Sequence, residues 1–186
     1  MASSYSTDLK LEIMVTGEQA GLWGDITNTN LVLLQQAIAG FESVSIAGGA
    51  QTTALLMSNA ALSNARNAVI KLTGTITGNQ IVTIPNSIEK NYIIENGTVG
   101  AFTVQFKTAS GTGPTFSTTD KGIKLLYSNG TDIIDINSKL NTVSLFTLPT
   151  ADGSSGQVIQ TNGSGTLSFV TPLSTGKAIA MALVFG

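Results

Sequence analysis

From Ala68 to Ile136 the chain is written in short runs whose apolar residues recur at every second position, each run closed by a turn-forming pair. Ala68, Ile70 and Leu72 make one run, Phe102, Val104 and Phe106 another, and Ile123, Leu125 and Tyr127 a third. Shorter ones lie at Ile81–Ile84, Tyr92–Glu95 and Ile133–Ile136. A period of two puts alternate side chains on one face of a strand, whereas a helix repeats every three to four residues. Gly78-Asn79, Asn96-Gly97, Gly111 to Pro114 and Asn129-Gly130 punctuate the runs, because Gly and Asn accept the positive φ of tight turns. Many short strands at close spacing predict a mainly β fold whose body is an antiparallel β-sandwich or barrel.

The flanks read differently. Leu9, Leu11, Ile13 and Val15 alternate with polar residues and predict a strand. A glycine-punctuated loop, Gly17 to Gly24, carries the only tryptophan, Trp23. DITNTN then supplies N-cap residues, and Leu31, Leu34, Ile38 and Phe41 follow at helical spacing, with Gly40 marking the end. Ser45 to Thr53 reads as a loop, and Thr53 to Asn64 fits either a short helix or an extended run. After Leu148, LPTADGSSGQ is a polar linker and VIQTNGSGTLSFV a β-hairpin, turning at Asn162-Gly163 with Leu167 and Phe169 on one face. These shifts predict an N-terminal strand–loop–helix region (1–52), a β body (53–147) and a C-terminal linker, hairpin and tail (148–186).

Composition removes most chemistry. There is no cysteine and no histidine, so thiolate nucleophiles, disulfides, His-ligated metals and histidine acid–base catalysis drop out together. The remaining acids do not replace them. Asp120, Asp132 and Asp135 lack the spacing of a calcium loop and read as solvated turn residues. Glu89 with Glu95, or Asp132 with Asp135, would have to act as a catalytic pair. The latter two sit three apart, so a strand turns them to opposite faces. TASGTGPTF is glycine-rich but lacks the Lys-Ser/Thr of a phosphate loop. The expectation is a non-enzyme with no cofactor and no metal. A net charge of -2, with nine scattered Lys and Arg, argues against a nucleic-acid partner. The start shows no secretory signal, and the longest apolar stretch, Ala178 to Phe185, is far short of the roughly 20 residues of a membrane span. A soluble product released in the cytoplasm follows.

Charged residues are only 11% of the chain, against about 25% in ordinary domains, while Ser, Thr, Asn and Gly take up the polar share. A surface so weakly charged suits a protein packed against copies of itself. The C-terminal hairpin points the same way, because one hairpin cannot bury both of its faces.

Three segments together resemble marine and cyanobacterial phage tail-fibre and virion structural proteins: GEQAGLWGDITNTNLVLLQQAI; the middle section ARNAVIKLTGTITGNQIVTIP, KNYIIENGTVGAFTVQFKTASG and YSNGTDIIDI; and LPTADGSSGQVIQTNGSGTLSFV with the closing GKAIAMALVFG. The resemblance implies a non-catalytic homotrimer in the virion, made in the host cytoplasm and docked on other virion proteins through its N-terminal region. Fibres of this kind are usually longer and end in a receptor-binding tip. Its short C-terminal part keeps a capsid decoration (cement) protein or head fibre open as alternatives. A glycan-binding β-module on host-surface glycans is a third, though aromatics are only 6%.

The candidate docking residues are therefore Trp23, Leu31, Leu34, Ile38 and Phe41. Trp23 is either a knob for a neighbouring virion protein or a cap of the helix against the first strand. The candidate oligomer contacts are Val158, Leu167 and Phe169 of the hairpin and Ile179, Met181 and Leu183 of the tail. The alternating tail fits a strand docked on another chain, or one closing its own. Asn-Gly-Thr and Asn-Gly-Ser at Asn96, Asn129 and Asn162 match glycosylation sequons and read here as turns.

Overall fold

A computed structural model describes residues 4–17, 19–137, 142–143, 146–172 and 183. The chain divides into two compact units, Met1–Asn137 and Ser138–Gly186. The protein is mainly β, with one α-helix near the N-terminus and an antiparallel hairpin near the C-terminus.

The first unit opens with two short antiparallel strands, β1 (Ser4–Tyr5) and β2 (Glu12–Ile13). The longer strand expected over 9–15 is broken because Lys10 adopts a left-handed conformation (φ 54). Helix α1 spans Trp23–Ala39. It starts earlier than the cap-rich DITNTN suggests: those residues lie in its first two turns, and Leu22 occupies the N-cap without a side-chain cap bond.

Six strands follow in a regular alternation between two sheets, β3 (Phe41–Ser45), β4 (Gln51–Ala54), β5 (Val69–Thr75), β6 (Gln80–Ile84), β7 (Glu89–Val99) and β8 (Val104–Thr108), and β9 (Thr115–Phe116) then turns back beside β8 in the same sheet. They lead into β10 (Ile123–Asn129) and β11 (Ile133–Asp135). The sheet orders are β11-β10-β7-β5-β3 and β4-β6-β8-β9. Phe41, Val69 and Ile93 stand side by side in one sheet, and Gln51, Gln80 and Val104 in the other. The chain thus climbs through three coils, each contributing one strand to either sheet.

The two-sheet body agrees with the expected architecture, but its strand direction corrects the antiparallel expectation in part. The ladders β3–β5, β5–β7, β4–β6 and β6–β8 are parallel, and only β7–β10, β10–β11 and β8–β9 are antiparallel. A period of two is blind to this difference. The Gly48-Gly49 and Gly78-Asn79 corners carry the chain across to the facing sheet, so the next coil arrives parallel, whereas Gly111 to Pro114 and Asn129-Gly130 turn it back into an antiparallel neighbour. Asn96-Gly97 is no turn at all: both residues lie inside β7, which runs on to Val99.

The core lies between the sheets. Ile70, Leu72, Tyr92, Ile94 and Leu126 from one meet Val82, Ile84, Val104, Phe106 and Phe116 from the other. The Tyr92 and Phe106 rings pack edge to face at 5.7 Å. Among β10 residues it is Leu126 and Ser128 that turn inward, so Ile123 and Leu125 point out. The segment 53–64 completes β4 and then runs irregularly to a short 3-10 turn, Asn64–Arg66. The boundary expected at 52/53 falls inside β4, which pairs with β6, and the division comes at 137/138 instead of 147/148.

In the second unit, β12 (Thr142–Val143) pairs with β13 (Phe146–Thr147) and β14 (Val158–Thr161) with β15 (Leu167–Val170), both antiparallel. Thr147 also bridges Thr166 in parallel, and its N–H donates to Gly165 O at 2.6 Å.

Candidate assembly surfaces

Helix α1 is 17 residues long and carries a single ionisable side chain, Asp25. Its inner face is Ile26, Asn30, Leu33 and Ala37, with Leu33 only 1% exposed. Trp23, Leu31, Leu34 and Ile38 form a second apolar stripe within an arc of roughly 80°, taking about 100° per residue. That stripe is uncovered: Trp23 is 67% and Ile38 77% exposed, Leu31 is exposed and Leu34 half-buried. Trp23, the first residue of the helix, does not cap it against the first strand.

Phe41 belongs elsewhere than the helical spacing suggests. Gly40 takes an extended conformation (φ -70, ψ 140), so Phe41 begins β3 at the sheet edge. Its side chain is 58% exposed and heads a row on the outer face of the five-stranded sheet. In register with it stand Val69, Ile93 and Leu125, with Ile136 N–H bonded to Leu125 O beyond. Ile123 extends this outward apolar surface, next to the Lys71–Glu95 ion pair (2.7 Å). The signal was present in the sequence as alternation at Ile123, Leu125 and Tyr127, but the facing of that alternation was not.

What aims the helix is a buried polar knot that composition gave no reason to notice. Arg66, the only arginine, is fully buried. Its Nε donates to Leu9 O (3.0 Å), and its other nitrogens donate to Ser58 O (2.6 Å), Gln36 Oε1 (3.2 Å), Ser63 Oγ (3.3 Å) and Ala61 O. Carbonyl dipoles thus solvate the cation, and burial lowers its pKa. Nearby, Lys90 Nζ donates to Asn67 O at 2.9 Å and lies 4.0 Å above the Tyr92 ring. Burial, reinforced by the Arg66 charge, pushes its pKa down to about 8. Burial also raises that of Tyr92, whose hydroxyl donates to Ala65 O.

The N-terminal arm is held by the same region. Asn30 acts as a strand partner in miniature: its Oδ1 accepts Glu12 N–H (3.0 Å) and its Nδ2 donates to Glu12 O (2.9 Å). Glu89 N–H donates to Asp8 Oδ1, and Ala60 N–H to Lys10 O. Arm, helix and the 58–67 segment are therefore one fixed body, and the Trp23 stripe is presented on a rigid support.

The second unit has no buried residue among those described. Ile159 faces Phe169 and Thr161 faces Leu167 on one side of the hairpin, while Val158 faces Val170 on the other. Val158 and Ile159 are exposed, and Leu167, Phe169 and Val170 half-buried, so both faces carry uncovered apolar area. Leu183 is 81% exposed, whereas Ile179 and Met181 lie outside the described residues.

The acids read as turn residues have partners. Lys124 Nζ lies 3.1 Å from Asp120 Oδ2 and 3.4 Å from Asp135 Oδ2. Asp132 Oδ1 accepts Thr112 N–H (2.6 Å) and Thr112 Oγ1 (2.9 Å), which hold its pKa down. Asp120 and Asp132 hold loops at the ends of the body, whereas Asp135 lies inside β11 and joins it to β10 through Lys124. Comparison with family models, curated proteins and solved structures found no match to the chain.

Proposed function

We propose that this chain is a non-enzymatic virion structural protein of the tail-fibre or adaptor type, assembling as a homotrimer. The observation that carries the assembly part is the hairpin β14–β15, which displays apolar side chains on both faces and buries none. A two-stranded hairpin with no core is marginal alone, and partner chains supply the missing surface. The α1 stripe and the outer row from Phe41 to Leu125 add two further uncovered apolar surfaces, and α1 brings almost no charge to oppose like-with-like packing. The virion address rests on the resemblance of the three segments to phage structural proteins.

In this reading the α1 stripe docks on neighbouring virion proteins and the hairpin and tail join the copies. Function is assembly by shape and burial, without a chemical step. Analytical ultracentrifugation at micromolar concentration tests it: a trimer supports the reading and a stable monomer overturns it. Copy number in purified particles then separates tail from head. A few trimers per particle fit the fibre or adaptor, while stoichiometry near that of the major capsid protein moves the chain to a decoration protein or head fibre. Binding on a glycan array would favour the glycan-binding module instead.

A further inference from the structure

The three Asn-Gly pairs do not sit in equivalent places, and the difference has chemical consequences. Asn96-Gly97 lies within β7, between β5 and β10, where Asn96 is fully buried. Its Nδ2 donates to Asp120 O (2.8 Å) and its Oδ1 accepts Thr98 N–H and Oγ1. Asn129-Gly130 closes β10, anchored to β7 opposite Glu89, with Gly130 O accepting Ser87 N–H at 2.7 Å. Asn162-Gly163 forms the exposed tip of β14–β15, in the unit with no buried residue among those described.

We infer that Asn162 is a site of spontaneous backbone-assisted deamidation, converting to aspartate and isoaspartate ahead of Asn129 while Asn96 stays intact. In this reaction the Gly163 backbone nitrogen attacks Asn162 Cγ. The new C–N bond forms as Cγ–Nδ2 breaks, and ammonia leaves with the proton lost from the glycine nitrogen. Water then opens the five-membered imide at either carbonyl, restoring the normal chain or routing it through the side chain. Water is the only co-reactant.

The tip suits each step. Gly163 has no side chain to obstruct the approach, and it already sits at φ +76, a conformation open to glycine. Asn162 Oδ1 accepts Ser164 N–H (2.8 Å) and Thr166 N–H (3.0 Å), two donors placed where negative charge develops during attack. Asn129 has a similar pair, from Thr131 N–H (3.0 Å) and Asp132 N–H (2.7 Å), so local polarisation does not separate the two. What separates them is the cost of opening. Forming the imide requires backbone rotation, and rotation at Asn129 must break a ladder tied to the core, whereas the turn residues at the hairpin tip are exposed and move without exposing any side chain buried among the described residues of their own chain. Each conversion adds one negative charge to the tip of the hairpin.

The test is peptide mapping by mass spectrometry of the full chain, aged at mildly alkaline pH, with fragmentation that distinguishes isoaspartate. Conversion at Asn162 several-fold faster than at Asn129, with Asn96 unchanged, is the expected result, and Asn162→Ala abolishes the tip signal. The inference is overturned if Asn129 converts as fast or faster. It is equally overturned if Asn162 stays intact while a free peptide of the tip sequence converts. Either result leaves the assembly reading untouched, because that depends on oligomeric state.

Discussion

Replacing Arg66 by methionine keeps an unbranched apolar stem, ends short of the guanidinium nitrogens and removes all of the donors. Leu9 O and Ser58 O have no other hydrogen-bond partner among the described residues, so both become half-buried acceptors that have lost their protein donor. Gln36 Oε1, Ser63 Oγ and Ala61 O keep a second partner each, through Ser63 N–H, Ser58 N–H and Ser63 Oγ respectively. At about 1–3 kcal/mol per orphaned group the loss is roughly 2–6 kcal/mol, from which relief of a desolvated charge must be subtracted. A net destabilisation of about 2–4 kcal/mol is expected, a large share of the stability of a small domain. Urea unfolding followed by far-ultraviolet circular dichroism measures it as a lower midpoint at unchanged slope. Arg66→Lys keeps the charge but cannot span Leu9, Ser58 and Ala61 together, and falls between wild type and Arg66→Met. Hydrogen exchange in Arg66→Met should accelerate first in the 9–13 arm and α1. If both variants unfold within about 0.5 kcal/mol of wild type, the knot does not hold the helix and the reasoning fails.

Lys90 titrates in the opposite sense from most surface lysines. Its pKa falls from 10.5 to about 8 on folding, so between those values the unfolded chain binds more protons and stability rises with pH. The rise, at most about 3 kcal/mol at about 1.4 kcal/mol per unit, should flatten in Lys90→Met, as read from unfolding midpoints across that window. Phe106→Ala, at the ring contact with Tyr92, should cost about 3–5 kcal/mol in the same assay. Gly78→Ala would set a Cβ 2.3 Å from Ala50 N, where successive coils meet, and should cost about 1–3 kcal/mol or more. Ile38→Glu, at an exposed position of α1, should leave the unfolding midpoint within about 0.5 kcal/mol of wild type, and on the proposed docking role it should weaken incorporation into particles in a competition assay.

Several features of the candidate surfaces were legible from residues alone. Leu31, Leu34 and Ile38 do share one helix face, and Val158, Leu167 and Phe169 do lie on a hairpin turning at Asn162-Gly163. Phe41 was misplaced because helical spacing continues numerically past Gly40, while the backbone does not. Arg66 and Asn30 were invisible as anchors: each acts on backbone atoms far away in sequence, Leu9 and Glu12, and no local pattern records such a pairing.

By itself the sequence determined that this protein is built from short strands, because alternation and Gly/Asn corners are local properties that leave few other choices. It also placed a helix near the N-terminus and a hairpin without a core near the C-terminus. Only the tertiary structure decided the direction of the strands. Parallel and antiparallel neighbours make the same demand on a side chain, to face in or out, and differ only in which distant backbone meets which. The same holds for the surfaces: Ile93 and Leu125 alternate as core residues do, yet they join Phe41 and Val69 in a row facing outward, because Ile94 and Leu126 had already filled the space between the sheets.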